Sequence, residues 1–230
     1  MAKKTDATEE KIQAVEDALG KTELFIEKNR KIISIVIGII LVVLLGYFGF
    51  KKFYLAPREK EAQSQMFMAE KYFEQDSLDK ALNGDGNYSG FLKIIEDYSI
   101  TKSANLAHYY TGICFLKKGQ FEKAIDYLED FNGDDEFVAP MAVGALGDAY
   151  MELGKTDKAL AYYIKAAEKK TNDLTSPAFY FKVALTYEKM KDYQKALDTY
   201  KKIQTEFPKS AVARDIERYI ARAEGMLENK

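Results

Sequence analysis

The sequence has no tryptophan, one cysteine, one histidine and four prolines among its 230 residues. A single cysteine, Cys114, excludes an intrachain disulfide and a cluster of thiolate metal ligands. The single histidine, His108, has no serine, cysteine or aspartate around it at a catalytic spacing, and its place on a predicted helix indicates a packed or surface side chain. No glycine-rich phosphate-binding motif is present. These absences argue against an enzyme and predict neither a cofactor nor a metal site.

Net charge is also small, because 34 basic and 36 acidic side chains are mixed along the chain and give −2. A nucleic-acid-binding domain usually has a basic face, and no basic stretch of that kind occurs. The abundance of Ala, Lys, Glu and Leu, without any run of strict apolar and polar alternation, indicates an all-α chain. We therefore expect no nucleic acid and no small-molecule substrate.

One long apolar stretch interrupts the mixed pattern. Residues 32–50 form 19 consecutive positions without a charged side chain. As an α-helix the stretch would be about 28 Å long, which matches the hydrocarbon thickness of a bilayer. Basic residues flank both ends, and Tyr47, Phe53 and Tyr54 lie where aromatic rings favour the membrane interface. The stretch predicts a single transmembrane helix.

The segment before the apolar stretch differs from a cleavable signal peptide. Residues 1–31 carry seven basic and seven acidic side chains. The apolar run is longer than the usual ~7–15 residues, and no small-residue cleavage site follows it. We interpret residues 32–50 as an uncleaved signal anchor and residues 1–31 as a short charged tail. Four basic side chains lie within about 20 residues on each side of the anchor, so the positive-inside rule leaves the orientation open.

Residues 51–230 contain a pattern that recurs about every 34 residues. The stretches 140–173 and 177–210 place small and aromatic residues at the same offsets, and 105–138 follows the pattern more loosely. Each unit is interpreted as two antiparallel helices that approach closely at small side chains and stack on the next unit, because one hairpin cannot bury its apolar face alone. The paired small positions are Gly112 and Ala124, Gly147 and Ala159, and Ala184 and Ala196.

The prolines support these boundaries, since each lies at the edge of a predicted helix. The first follows the membrane helix. Pro140 and Pro177 fit the first turn of a helix, with Ser176 as a predicted N-cap. Pro208 follows a helix, and Ser210 is placed to cap the next one.

These units resemble the tetratricopeptide repeat (TPR) family. The two later units match it closely, including the segment LGDAY at residues 146–150, and the unit 105–138 matches moderately. A degenerate unit, 58–101, is expected to contain a long loop over residues 76–87 between two helices. A final helix over 211–228 is expected to cap the stack. The fold class predicted is thus all-α, with one transmembrane helix followed by a TPR-type solenoid of helix hairpins.

The TPR resemblance implies a binding groove on the concave face, which the first helix of each hairpin forms. The groove would be mainly apolar and lacks the basic, Asn-rich positions with which some relatives hold an acidic chain end. We expect it to bind an apolar helix or an unfolded segment of another protein. The candidate groove residues are Leu106, Tyr109, Ile113, Leu116, Met141, Asp148, Met151, Phe181, Leu185 and Glu188.

A second motif is similar to a calcium-binding loop. The segment NGDGN at residues 83–87 supplies oxygen ligands, but Tyr88 occupies the position that requires glycine, and Ile94 the position of the final glutamate. We interpret the segment as a turn.

The arrangement of charged tail, anchor and short solenoid resembles the bacterial family of ancillary Sec-translocon subunits. The resemblance covers nearly the full chain in architecture, while its motifs are generic to the repeat. It implies a cytoplasmic tail, a helix in the inner membrane and a periplasmic TPR domain over residues 51–230. It further implies three kinds of protein partner, namely the Sec channel, a membrane-anchored prolyl-isomerase-like chaperone and exported chains.

Two alternatives stay open at this point. The solenoid could be a general envelope scaffold for the division or cell-wall machinery. It could also face the cytoplasm as an adaptor that recruits soluble proteins to the membrane, because the charge count does not fix the orientation.

Overall fold

The computed structural model describes residues 27–228, and all their regular elements are helices apart from one isolated β-bridge between Gly84 and Ser89. The chain divides into two compact units, Met1–Pro57 and Arg58–Lys230. Residues 1–26 of the predicted charged tail, 1–31, lie outside the described residues. The fold class predicted from the sequence is confirmed, with TPR-like hairpins and one apolar helix near the N-terminus.

The first unit contains helix α1, residues 27–50, followed by a π-helical turn, Lys51–Leu55. No part of its apolar window is buried against protein, and Val42 and Leu45 are 70% and 72% exposed. An amphipathic helix of a folded domain would bury one apolar stripe, and α1 has apolar side chains exposed on every side. By length and composition, α1 is able to cross a membrane.

The second unit is a row of antiparallel helix hairpins with a helix at its end. In the hairpins over residues 102–206, each first helix carries the predicted groove positions and each second helix packs behind it. The elements are α2 (Ala56–Glu74), α3 (Leu78–Asn83), α4 (Phe91–Asp97), α5 (Lys102–Lys117), α6 (Phe121–Asp130), α7 (Val138–Glu152), α8 (Thr156–Lys169), α9 (Thr175–Lys189), α10 (Tyr193–Glu206), a 3₁₀ turn (Val212–Asp215) and α11 (Ile216–Glu228).

The turns inside the hairpins share one geometry. Gly119 and Gly154 have φ of 70° and 72°, a left-handed conformation that glycine adopts without a steric penalty. The residue after each glycine, Gln120 or Lys155, donates its N–H to the carbonyl oxygen five positions earlier, with an N–O distance of 2.9 Å, as in a Schellman helix end. Lys191 makes the same turn with φ of 61° and no glycine. The geometry of the turn is thus kept where the glycine is absent.

Close approach of the helices depends on small side chains, as predicted. A Cβ atom on Gly112 would lie 2.5 Å from Leu128 Cγ, and one on Gly147 would lie 2.6 Å from the ring of Tyr163. Between hairpins, a Cβ on Gly144 would lie 1.9 Å from Phe179 Cε1. Small residues therefore allow the close approach inside the hairpins, and glycine allows it at the interface between α7 and α9.

The loop predicted over residues 76–87 is wrong in its first half, because Leu78–Asn83 forms helix α3. Ala81 and Leu82 on this helix are buried in the same core as Phe91 of α4. The spacing of Leu78, Ala81 and Leu82 already follows one face of a helix. The second arm of this unit is therefore two short helices, α3 and α4, around a turn at Asp85, whose Oδ1 accepts hydrogen bonds from the N–H groups of the residues two and three positions on.

Polar contacts fix the start of α2 to the start of α5. The Glu59 carboxylate accepts hydrogen bonds from Lys102 N at 2.7 Å and from Ser103 N and Oγ at 3.2 and 2.6 Å. A carboxylate is favoured at this place because the first N–H groups of a helix have no helical partner and carry partial positive charge. Arg58 donates to the Asp97 carbonyl at the end of α4.

Two predicted caps have different outcomes. Ser210 accepts a hydrogen bond from Ala213 N and caps the 3₁₀ turn, as predicted. Ser176 is not the N-cap of α9, because it lies inside the first turn. The N-cap residue is Leu174, and Asn172 satisfies the N–H groups at this helix start, because its Oδ1 accepts from Leu174 N and Thr175 N at 2.8 and 2.7 Å.

The last helix begins later than predicted, at Ile216, after the 3₁₀ turn. Tyr219 packs edge-on against Phe181 with ring centroids 4.7 Å apart. Arg222 forms an ion pair with Glu188, and Glu224 forms one with Lys201. The helix therefore covers the apolar end of the stack that α9 and α10 present.

We predict opposite effects for the same change at two glycines. Gly144→Ala should lower the free energy of unfolding by about 1–3 kcal/mol, because the added methyl overlaps the buried Phe179 ring. Gly225→Ala, in α11, should raise it by about 0.5–1 kcal/mol, because nothing lies within 4 Å of the added methyl and alanine favours the helix. Thermal unfolding of both variants by circular dichroism measures this. A Gly144→Ala protein as stable as Gly225→Ala would contradict the tight α7–α9 interface.

Candidate functional site

The ten predicted groove residues all lie on the first helices of the hairpins, α5, α7 and α9. Their exposure differs widely. Met141 and Leu185 are 45% and 37% exposed, whereas Tyr109 is 8% exposed. The remaining residues are half-buried, namely Leu106, Ile113, Leu116, Asp148, Met151, Phe181 and Glu188.

The open part of this surface is a cleft of about 260 Å³ between the C-terminal halves of α7 and α9. Met151 and Leu185 form apolar walls, and Lys182 and Lys189 flank them. The Lys189 ammonium lies 3.3 Å from the sulfur of Met151. The cleft combines flexible apolar side chains with long lysine stems, a surface that adapts to an apolar ligand while its charges stay in water.

A polar network lies at the base of the cleft. Asp148 accepts a hydrogen bond from Tyr163 OH at 2.8 Å, and Lys182 Nζ donates to both of its oxygens, at 2.6 and 2.8 Å. Burial, and then the negative charge of Asp148, raise the pKa of Tyr163. Asp148 is thus a bridge from α7 to α8 and α9, and its carboxylate is already compensated inside the protein.

Two of the predicted residues contact the last helix. The rings of Phe181, Tyr200 and Tyr219 contact one another, and Glu188 forms an ion pair with Arg222. These side chains therefore hold α11 in place. The sequence analysis did not include Lys182, although it lies one helical turn before Leu185 on the same face. It also did not include Tyr219, which lies on a helix without a predicted groove position.

Tyr109 belongs to the core more than to the surface. Its ring contacts Tyr110 and Phe131, with centroids 5.4 and 5.8 Å away. Burial raises its pKa to about 12. Little of this ring is available to a partner.

A second cleft, of about 250 Å³, lies between α2 and α5. Leu106 and Met66 form its apolar part, and Gln63 and Glu70 line its edge. Burial, and secondly the charge of Glu74, raise the pKa of Glu70. At this end the surface is more acidic than the cleft between α7 and α9.

His108 and Cys114, the side chains considered as catalytic or metal-binding groups, are both packed against other helices. Burial lowers the pKa of His108, whose Nδ1 lies 3.9 Å from Asp130 Oδ2. Burial raises the pKa of the Cys114 thiol to about 12, and such a thiol is neutral and unreactive near pH 7. Within residues 27–228, no group of three His, Cys, Asp or Glu side chains is placed to hold a metal ion.

Comparison with known proteins agrees with this architecture. Tetratricopeptide repeat models match residues 106–133 and residues 145–211. No curated protein matches the chain in sequence.

Among solved structures, a kinesin-light-chain-like protein of Podosopora anserina with nearly identical TPR-like repeats aligns with a TM-score of 0.58 at 15% identity, over 75% of this chain and 89% of that one. The MamA protein aligns with a TM-score of 0.51 at 18% identity, over 74% of this chain and 93% of that one. At these identities the likeness shows the fold. The repeats and the fold together define the class, a TPR-type protein–protein interaction module.

We predict that Asp148 is needed for folding stability. Asp148→Ala should cost about 1–3 kcal/mol of the free energy of unfolding, because it leaves the buried Tyr163 hydroxyl without its acceptor. Asp148→Asn retains an acceptor oxygen and should cost less. Urea unfolding of both variants measures the difference. Equal stability of Asp148→Ala and the unchanged protein would show that the network does not stabilise the fold.

Proposed function

We propose that this protein is anchored in the bacterial inner membrane by residues 32–50 and works as an ancillary subunit of the Sec translocon. Its N-terminus is cytoplasmic, and its TPR domain in the periplasm links the translocon to a membrane-anchored prolyl-isomerase-like chaperone near exported chains. The protein itself performs no catalysis. The proposal rests on the architecture of the chain together with the chemistry of its groove.

The observation that carries the proposal is the exposed apolar surface of α1 in a chain that also holds a TPR domain. Side chains such as Ile39 and Val43 are 59% and 63% exposed. Exposing nineteen uncharged residues to water is unfavourable, and a bilayer removes this cost. Since only residues 51–57 separate this segment from the second unit, a membrane-inserted α1 would hold the TPR domain close to the membrane surface.

The groove chemistry supports a partner segment that is apolar. Met141 and Met151 offer unbranched, flexible side chains, which adapt to different sequences, and Leu185 adds apolar surface beside them. Asp148 and Glu188 are already paired with Lys182 and Arg222. A helix or unfolded segment with apolar residues on one side therefore fits this surface better than an acidic chain end.

The two alternatives differ from this proposal in location or in partner. An envelope scaffold would also be periplasmic, but its partners would belong to the division or cell-wall machinery. A cytoplasm-facing adaptor would place the TPR domain on the other side of the membrane.

We expect external protease to remove a C-terminal tag from spheroplasts while the inner membrane is intact. The physical reason is the proposed topology, in which the TPR domain lies outside the cytoplasm. A cytoplasmic marker protein that stays intact is the control. Survival of the tag until the cells are lysed would contradict the translocon proposal and favour the cytoplasmic adaptor.

Negative charge introduced at the two most exposed apolar positions of the groove tests whether the groove binds the partner. Met141→Asp with Leu185→Asp should reduce photo-crosslinking between a probe in the groove and its partner at least several-fold, because an apolar segment would have to bury two carboxylates. The fold should persist, because substitutions at exposed positions usually change stability by less than about 0.5 kcal/mol.

Leu174→Asp is the matched control, since Leu174 is 67% exposed on the loop before α9, outside the groove. Equal loss of crosslinking in the control and in the groove variant would exclude the groove as the binding surface. Crosslinked partners from the Sec channel or a membrane chaperone would support the translocon proposal, and partners from the division or cell-wall machinery would support the scaffold.

A further inference from the structure

A third cleft of the TPR domain lies outside the groove, on the side of the second helices. It has a volume of about 340 Å³ and opens between α6, α7 and α8. Leu128, Phe131, Val143 and Tyr162 form its walls, and Lys165 and Lys169 lie at its edge. No sequence motif pointed to it.

The three hairpins differ at one pair of positions that meets in this cleft. The first position lies four residues before the small residue of the first helix, and it holds His108, Val143 and Tyr180 in successive hairpins. The second lies six residues after the alanine of the second helix, and it holds Asp130, Lys165 and Lys202. We call them the ring position and the charge position.

In the other two hairpins the ring position holds a ring that lies close to the charged side chain. Tyr180 OH accepts a hydrogen bond from Lys202 Nζ at 2.7 Å, and the ammonium lies 4.1 Å from the centre of the same ring. In the first hairpin His108 Nδ1 lies 3.9 Å from Asp130 Oδ2. Each ring thus meets a charged side chain from the second helix of its own hairpin.

The middle hairpin has the charge without the ring. Val143 leaves the space open, and Lys165 makes no side-chain hydrogen bond within the described part of the chain. Its ammonium lies 6.0 Å from the Tyr162 ring, at the wall of the cleft. In the next hairpin the equivalent position holds a tyrosine, whose hydroxyl accepts a hydrogen bond from the equivalent lysine.

We propose that this cleft binds a tyrosine side chain of a partner protein. The partner's ring enters the space above Val143 and packs against Leu128, Phe131 and Tyr162, and its hydroxyl accepts a hydrogen bond from Lys165. The internal repeat supplies the argument for this occupant, because Tyr180 and Lys202 show which ring and which donor this helix geometry accommodates. The proposal does not depend on the groove or on the membrane anchor.

The apolar and aromatic walls of the cleft favour an aromatic residue. Buried aromatic side chains contribute most to protein interfaces when a pocket encloses them and one polar end remains paired. A lysine at the edge also favours the face of an incoming ring through cation–π attraction. An aliphatic side chain would gain neither contact.

Binding is tested on the full chain in nanodiscs with methyl-labelled alanine, leucine and valine. N-acetyl-tyrosinamide at millimolar concentration should shift the methyl signals of Val143, Leu146 and Ala142 saturably, and N-acetyl-alaninamide should not. N-acetyl-phenylalaninamide should bind several-fold more weakly than the tyrosine amide. Lys165→Met keeps the apolar stem and should abolish this preference.

Val143→Tyr supplies the ring within the chain. It should raise Tm by about 2–4 °C, the shift expected for a gain near 1 kcal/mol in a domain of this size, and should abolish the tyrosinamide shifts at Leu146. Val143→Thr, of similar size to valine, leaves the cleft open and should preserve them.

Three results would overturn the proposal. A lower Tm for Val143→Tyr would show that no tyrosine ring fits. Equal shifts with the alanine amide would show that the ring is not what binds. Equal affinity for the tyrosine and phenylalanine amides would exclude the hydrogen bond to Lys165.

Discussion

The structure depends on the close contact between successive hairpins, because a single hairpin has no way to bury its apolar face. Gly144 and Phe179 show how tight this contact is, since the ring occupies the space that any side chain at position 144 would need. The same constraint explains the helix at the end of the stack. α9 and α10 would expose Phe181 and Tyr200 without a following hairpin, and α11 supplies Tyr219 to cover them. Removal of water from these aromatic faces is the main force that holds the row together, and ion pairs between helices, such as Glu188 with Arg222, add to it.

This packing also decides which groove residues remain available to a partner. Side chains that point into a neighbouring helix become part of the core, as Tyr109 does, while those between two first helices stay accessible, as Leu185 does. The polar groups of the groove also make contacts within the protein, because Asp148 accepts hydrogen bonds from Tyr163 and Lys182. What is left for recognition is apolar surface with lysine stems beside it. A groove of this kind selects its ligand by shape and apolar content and has little means of selecting it by charge.

The sequence predicted the hairpins well because their signals are local. Small residues at fixed offsets define each unit without knowledge of its neighbours, and prolines mark the helix starts of the two later units. Contacts between units were harder to predict, because they depend on residues that lie far apart in the sequence. The contacts of Asn172 at the start of α9, where Ser176 was the predicted cap, depend on a loop conformation, and the burial of Tyr109 depends on where Phe131 lies. The short helix α3 was missed for another reason, since the turn-forming residues after it outweighed the apolar spacing of Leu78, Ala81 and Leu82.

Differences between equivalent positions of a repeat carry information that a motif does not. A residue that all hairpins share is explained by the fold, as Ala124, Ala159 and Ala196 are, because each allows two helices to approach. Where one hairpin has a different residue, the side chain that would contact it lacks that contact. Lys165 is an example, because the equivalent Lys202 donates a hydrogen bond to Tyr180, and the middle hairpin has Val143 in place of this tyrosine. Packing that favoured only stability would fill the space above Val143, because an open cleft forgoes the contacts that a ring would make. A tyrosine from a partner chain, as proposed, would supply the contacts that the fold leaves unmade at this cleft.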